Sequence, residues 1–334
     1  MSEMEQVQGG NPTLLEQAEA AIQKEEYETA FQLYRQLAEQ GDADAQYVCG
    51  YMCLNGAGTE RSTEEALRWY QMAGEQGMTS ALVAAAMAMG HAEDAVRLYR
   101  RAADLGDPNA QYALAAAYLK GQGVSPDVDE ALYWLRKAAL QGDVDAQVGL
   151  VDLYSNNRYI AENKAETLRW QEMIAEQDAA QSPEARLACA FSYADESHPC
   201  ADPVKALHWM TLAAEDGFED AQYQCGLFHY EGKGTPEDHG AAAHWFGMAA
   251  RQGHMDSSFR YARALTEGDG VIVNPSSALM YYRVAAMQGH PEAQYLCGMM
   301  YLNGEGIEAD REEAMKWLKM AAEQGHAKAK EQCG

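Results

Sequence analysis

The sequence predicts an all-α fold, an α/α solenoid of stacked helical hairpins. Three observations carry that prediction. Glycine-ended tripeptides recur with a period of 36 residues, as from Gly41 to Gly77 and from Gly253 to Gly289 to Gly325. Apolar residues within each period follow the i, i+3, i+4 spacing of amphipathic helices. Gly-x-Gly punctuation divides most periods into two helical segments. A hairpin of this length cannot bury its own apolar face, so neighbours must stack on one another.

Along the chain the elements follow in order. Residues 1–12 are polar and acidic, with neither a basic leader nor an apolar stretch, and are expected to form a flexible N-terminus without a secretory signal. Residues 13–40 read as one helical hairpin lacking Gly-x-Gly, an N-terminal cap. Residues 41–325 read as eight repeats linked by Gly41, Gly77, Gly106, Gly142, Gly217, Gly253, Gly289 and Gly325, with an insertion at 179–181. The repeat at 78–106 is short and lacks Gly-x-Gly. The repeat at 143–178 carries Asn156-Asn157-Arg158-Tyr159-Ile160 in its place, and the loop at 195–202 is irregular. Residues 326–334 read as a polar C-terminal tail.

Each repeat opens with an Ala-rich helix, such as Ala45-Gln46-Tyr47 through Leu54, that ends at Gly-x-Gly: Gly56 and Gly58, Gly121 and Gly123, Gly232 and Gly234, Gly268 and Gly270, Gly304 and Gly306. These glycines follow a helix and precede no Lys-Ser/Thr, so they read as left-handed helix ends and not as a phosphate loop. A Ser, Thr, Asp or Pro stretch then caps a second helix, as in Ser62-Thr63-Glu64-Glu65-Ala66. That helix carries Trp or an equivalent eight residues before the next linking glycine, at Trp69, Leu98, Trp134, Trp170, Trp209, Trp245, Tyr281 and Trp317.

These units resemble the Sel-1-like repeat family, a relative of the tetratricopeptide repeat. The resemblance rests on Asp107-x-x-Ala110-Gln111-Tyr112-x-Leu114, Tyr118, Gly121-x-Gly123-Val124, Asp129-Glu130-Ala131 and Trp134-x-x-Lys137-Ala138-Ala139, with close copies at 42–77 and 290–325. It covers about residues 42 to 330. It implies a right-handed superhelix in which the first helix of each pair lines the concave side, and an adaptor or scaffold role. Some members staple each hairpin with two cysteines; that pair is missing here.

Seven cysteines invite a metal or disulfide reading, yet Cys49, Cys189, Cys225, Cys297 and Cys333 share one register with Leu114 and Leu150. They read as small core hydrophobes. Cys200, in the irregular loop, is the expected reactive thiol. His254, His290 and His326 follow consecutive linking glycines and read as one structural slot; no metal set and no cofactor is expected. The Gln recurring at 46, 111, 147, 222 and 294 reads as structural.

Charge narrows the partner. The chain has 25 Lys and Arg against 51 Asp and Glu, a net charge of −26. Such a surface disfavours nucleic acid and anionic membranes, which need cations to displace counterions. It favours a basic protein or peptide. The apolar run at 81–90 is about half the length of a membrane helix, and a cytoplasmic location is expected.

Successive residues of a helix turn by about 100°. Positions 4, 8 and 12 after a linking glycine hold core types, so positions 3, 7, 10 and 14 should face the groove. Asp44, Tyr51, Asp152, Phe191, Asp195, Leu227, Glu231, Arg260, Arg263, Leu296 and Met299 fall on this stripe, an apolar centre with charged flanks. The expected function is non-enzymatic binding of a basic protein or peptide. Two alternatives stand beside it. One is an immunity protein neutralising a basic toxin such as a nuclease, since relatives of the family occur beside such toxins. The other is a hydrolase, as proposed for some relatives, although no nucleophile stands out.

Overall fold

The computed structural model describes residues 13–156, 160–177 and 183–333. It is all-α, with nineteen helices among those residues, arranged as paired hairpins in the tetratricopeptide-like manner. The chain divides into two compact units, Met1–Glu162 and Asn163–Gly334. The first holds α1 (Leu14–Gln23), α2 (Tyr27–Glu39), α3 (Ala43–Asn55), α4 (Thr63–Glu75), α5 (Thr79–Ala88), α6 (Ala92–Asp104), α7 (Pro108–Lys120), α8 (Val128–Leu140) and α9 (Val144–Ser155). The second holds α10 (Lys164–Gln177), α11 (Pro183–Ala194), α12 (Pro203–Glu215), α13 (Glu219–Glu231), α14 (His239–Gln252), α15 (Met255–Glu267), α16 (Pro275–Met287), α17 (Pro291–Asn303), α18 (Arg311–Glu323) and α19 (Ala327–Cys333). The boundary falls inside the repeat at 143–178. The expectations for residues 1–12, 157–159 and 179–181 lie outside the described residues.

Caps set the helix ends. Asp42, Asp107 and Asp143 accept N–H bonds three residues on, at 2.8, 2.9 and 2.7 Å. The N-terminal hairpin opens with a capping box: Thr13 N–H donates to Glu16, and Glu16 N–H donates to the Thr13 hydroxyl. At the three C-terminal junctions His replaces Asp. The Nδ1 atoms of His254, His290 and His326 accept from Ser257, Ala293 and Ala329 at 3.1, 3.2 and 3.2 Å. Each ring also lies against an aromatic of the preceding first helix, Tyr223, Phe259 or Tyr295. The single slot inferred for these histidines is therefore an N-cap.

Gly-x-Gly has two distinct jobs. Gly56 ends α3 in the left-handed conformation, φ 72°, with its N–H on the Met52 carbonyl. Gly58, φ 69°, lies against the start of the preceding second helix; a Cβ there would sit 2.0 Å from the Tyr27 carbonyl oxygen. The second glycine is thus a contact between repeats as well as a turn.

Tight packing explains the small residues of the first helices. A Cβ at Gly50 would meet the Tyr70 ring at 2.6 Å, and one at Gly226 would meet Phe246 at 2.4 Å. The core of each unit runs between the layers: Ala45, Cys49 and Met52 meet Ala66 and Tyr70 in the first, and Cys225 and Phe228 meet Trp209 and Ala213 in the second. Beyond Gly325 the segment read as a polar tail forms α19. Its Ala329 is fully buried and Cys333 is half-buried beside the Leu318 and Ala321 cluster. The His326 cap supplies the helix start that composition alone did not suggest.

Candidate partner-binding face

A ladder of side-chain amides fixes the direction in which α3, α7, α9, α13 and α17 point. Gln46 Nε2 donates to the Ala38 carbonyl of the previous repeat at 3.1 Å. Gln76, at the end of its own repeat, donates to Gln46 Oε1 at 2.9 Å and to the Gly41 carbonyl at 3.0 Å. Gln111 with Gln141, Gln222 with Gln252 and Gln294 with Gln324 repeat the amide pair. One repeat changes both members together: buried Arg186 takes the Gln position and its Nη1 lies 2.7 Å from Asp216 Oδ2. The Gln side of these first helices is thereby locked inward.

The opposite side of the first helices is open. Tyr51 on α3 is 56% exposed and Phe191 on α11 is 43% exposed. Asp44, Asp152 and Glu231 are exposed on α3, α9 and α13. Asp195 lies just past α11. The Ser197 hydroxyl and N–H donate to it at 2.7 and 2.9 Å and hold its carboxyl below the usual aspartate range. Leu227, Leu296 and Met299 are only half-buried, not fully exposed as the stripe implied. Leu296 packs beside the Cys297 and Met300 cluster and Met299 beside Leu318. Met299 thus packs towards α18, and the exposed apolar strip in the second unit is narrower than the stripe implied. Arg260 and Arg263 on α15 line one cleft with Tyr230, His239, Phe246 and Asp269.

At the register of Tyr51 one exposed apolar residue was missed. Met87 on α5 is 74% exposed and stands ten residues after Gly77, the register of Tyr51 after Gly41. The short repeat hid it, although counting from Gly77 finds it. At this register the first helices present Tyr51 and Met87 in the first unit; in the second unit, described by itself, they present Phe191.

The cysteine register belongs to the core. Cys49, Cys189, Cys225 and Cys297 are free and fully buried, and burial pushes each thiol up to about 12. Thiols this hard to ionise make poor nucleophiles. Cys200 is half-buried against the Cys189 cluster, with its N–H on His198 Nδ1 at 3.1 Å. Among the described residues no three His, Cys, Asp or Glu side chains group as a metal site, and no helix is long and apolar enough to cross a membrane.

Comparison with known proteins follows the same repeats. The crystal structure of a Sel1 repeat protein from Oxalobacter formigenes is 26% identical, covers 99% of this chain and 97% of that chain, and superposes with a TM-score of 0.51. The uncharacterized protein NMB1327 of Neisseria meningitidis serogroup B is 33% identical over 110 residues, 32% of this chain and 24% of that protein. The chitin synthase regulator SKT5 of Malassezia restricta is 56% identical over 43 residues, 13% of this chain and 3% of that protein. The chain thus spans a quarter or less of the curated relatives it matches. The Sel1 repeat profile matches residues 22–42, 43–78, 92–107, 108–143, 186–218, 219–254, 256–290 and 291–326, well over half of the sequence. The protein belongs to the Sel1 repeat family.

Proposed function

We propose that this protein is a non-enzymatic interaction module that holds a basic protein or peptide against the open faces of its first helices. The observation that carries this reading is the exposure of Tyr51, Met87 and Phe191, large apolar side chains at one register of the repeat. Folding gains nothing from leaving them in water, whereas an interface with an apolar centre and charged rim uses them directly. The surrounding carboxylates and the net charge of −26 favour a basic partner.

The test is affinity capture from the source-cell lysate, at low and high salt, with the wild type and a Tyr51→Ser, Met87→Ser, Phe191→Ser variant. The expected result is one stoichiometric basic partner, weakened by salt and lost from the variant while circular dichroism is unchanged. Anchor residues of this kind are each worth about 2 kcal/mol, or roughly 30-fold in affinity. Undiminished capture by the triple variant would remove the assignment. A toxin-neutralising role is the same reading with a single basic toxin as the partner, favoured by the same charge. Co-expression with a candidate toxin tests it: cells that survive equally well without this protein exclude that role.

A further inference from the structure

The open face of the second unit is not uniformly acidic. In the repeat that begins at His254, the two central positions of the first helix are both arginine, Arg260 and Arg263 on α15. The matching positions are Gln224 and Leu227 on α13, and Leu296 and Met299 on α17. Two guanidiniums therefore stand between an apolar residue on one side and an apolar pair on the other.

Arg260 is held in place by rings and left without a counter-charge. Its guanidinium carbon lies 5.9 Å from the Tyr223 ring centroid and 5.7 Å from that of Phe246. No carboxylate among the described residues pairs with it. Arg263 reaches Glu267 only at 3.9 Å, with 39% and 59% of the two side chains exposed. Water screens such a contact heavily. The one carboxylate lining the cleft, Asp269, is already engaged by His239 Nδ1 at 2.5 Å, and His239 Nε2 lies 2.6 Å from Glu237. The cleft therefore offers two available guanidiniums in a chain that is otherwise strongly acidic.

A wholly basic segment laid across this helix would set like charges against each other, a mismatch that specific interfaces avoid. Guanidinium pairs are suited to carboxylates because their planar N–H forks match the two oxygens. Apolar positions on both sides place the acceptor within a segment and not at its end. We infer that the segment bound by the second unit carries an Asp or Glu side chain flanked by apolar residues, and that Arg260 and Arg263 receive its carboxylate. This inference rests on the interaction reading and specifies its chemistry.

Fluorescence polarisation with the full chain tests it. The probes are labelled 11-residue Ala/Ser peptides with a central Asp and one Leu on each side, two to four positions away. A matched set has Asn at the centre. At least one Asp peptide should bind, with its Asn counterpart weaker by about tenfold or more, the scale of a charge-assisted hydrogen bond. The Arg260→Gln, Arg263→Gln double variant should erase that difference while keeping the Asn affinity and the helical spectrum. Equal binding of Asp and Asn peptides, or no binding by any Asp peptide, overturns the inference. The lysate capture separates the two readings. If the arginine double variant captures the partner like wild type while the Tyr51, Met87, Phe191 variant does not, only the carboxylate assignment fails. If neither variant loses capture, both fail.

Discussion

At the scale of single residues, the buried polar side chains explain more than the exposed ones. The recurring Gln bridges two neighbouring second helices, so each amide closes a gap between repeats that apolar packing would leave unspecified. The Arg186–Asp216 pair replaces the amide pair within its own repeat with charge; its side chains are 10% and 26% exposed. Losing one partner strands the other. Arg186→Gln alone is expected to destabilise the second unit by about 3 kcal/mol, the lower end for broken buried pairs because Asp216 keeps some solvent. Adding Asp216→Gln should rebuild the amide pair and recover most of that loss. Urea unfolding of the two singles and the double measures the coupling, and additive losses would reject the shared bridge.

Histidine supplies a second residue-scale argument, in two different settings. At 254, 290 and 326 the ring caps a helix through an accepting Nδ1; in His326 the Nε2 atom lies 2.8 Å from Glu292. His239 instead lies between Asp269 and Glu237, whose hydrogen bonds raise its pKa above the ordinary 6.5. A raised folded-state value means that the folded protein holds the proton more tightly than the unfolded chain. The resulting stabilisation is complete below about pH 6.5 and fades as pH rises through the raised value. His239→Gln should therefore lower the melting temperature near pH 6 and leave it unchanged near pH 9. An equal shift at both pH values would point to lost packing on Tyr230, the ring stacked 4.7 Å away.

At the scale of elements, the two glycines of Gly-x-Gly should respond differently from the linking glycine. Gly41 has φ 97°, but a Cβ added there would have no atom within 4 Å, so Gly41→Ala meets only backbone strain. Strain of that kind costs about 1–3 kcal/mol. Gly58→Ala meets comparable strain and also drives a methyl into the backbone at Tyr27 and Glu28. It should lower stability by more than Gly41→Ala, with the N-terminal hairpin loosened first. Thermal melts and hydrogen exchange over α2 read both effects, and equal losses would show that the close approach relaxes freely. The short repeat obeys the same geometry. It has no Gly-x-Gly loop, α5 stops at Ala88, and Met87 is left exposed near the helix end.

At the scale of the whole molecule, the helices within each unit pack chiefly on their neighbours in sequence, as a repeat array requires. The division at Glu162 and Asn163 cuts between two internally packed units. Residues 163–334 expressed alone should therefore fold, with a helical circular dichroism spectrum and a cooperative thermal transition. A disordered product would show that the second unit needs the first to nucleate it. The net charge of −26 acts at this scale too, through partner choice and association rate.

The sequence by itself determined the helical repeat, its register, the core slot of Cys49, Cys189, Cys225 and Cys297, and the outward direction of Tyr51 and Phe191. These follow from local periodicity, because a helix rotates by a fixed angle per residue and a stacked hairpin repeats its environment. Tertiary structure alone decided the rest. That the second glycine touches the previous repeat, that three histidines cap helices, and that residues after Gly325 form α19 all depend on contacts between repeats. The same holds for Met299: its rotation was legible, but its half-burial beside Leu318 was set by the neighbouring second helix. Charge pattern likewise located Arg260 and Arg263, whereas the rings under Arg260 and the engagement of Asp269 by His239 left those guanidiniums available. Rotation about one helix is a local property, while burial and charge pairing belong to its neighbours.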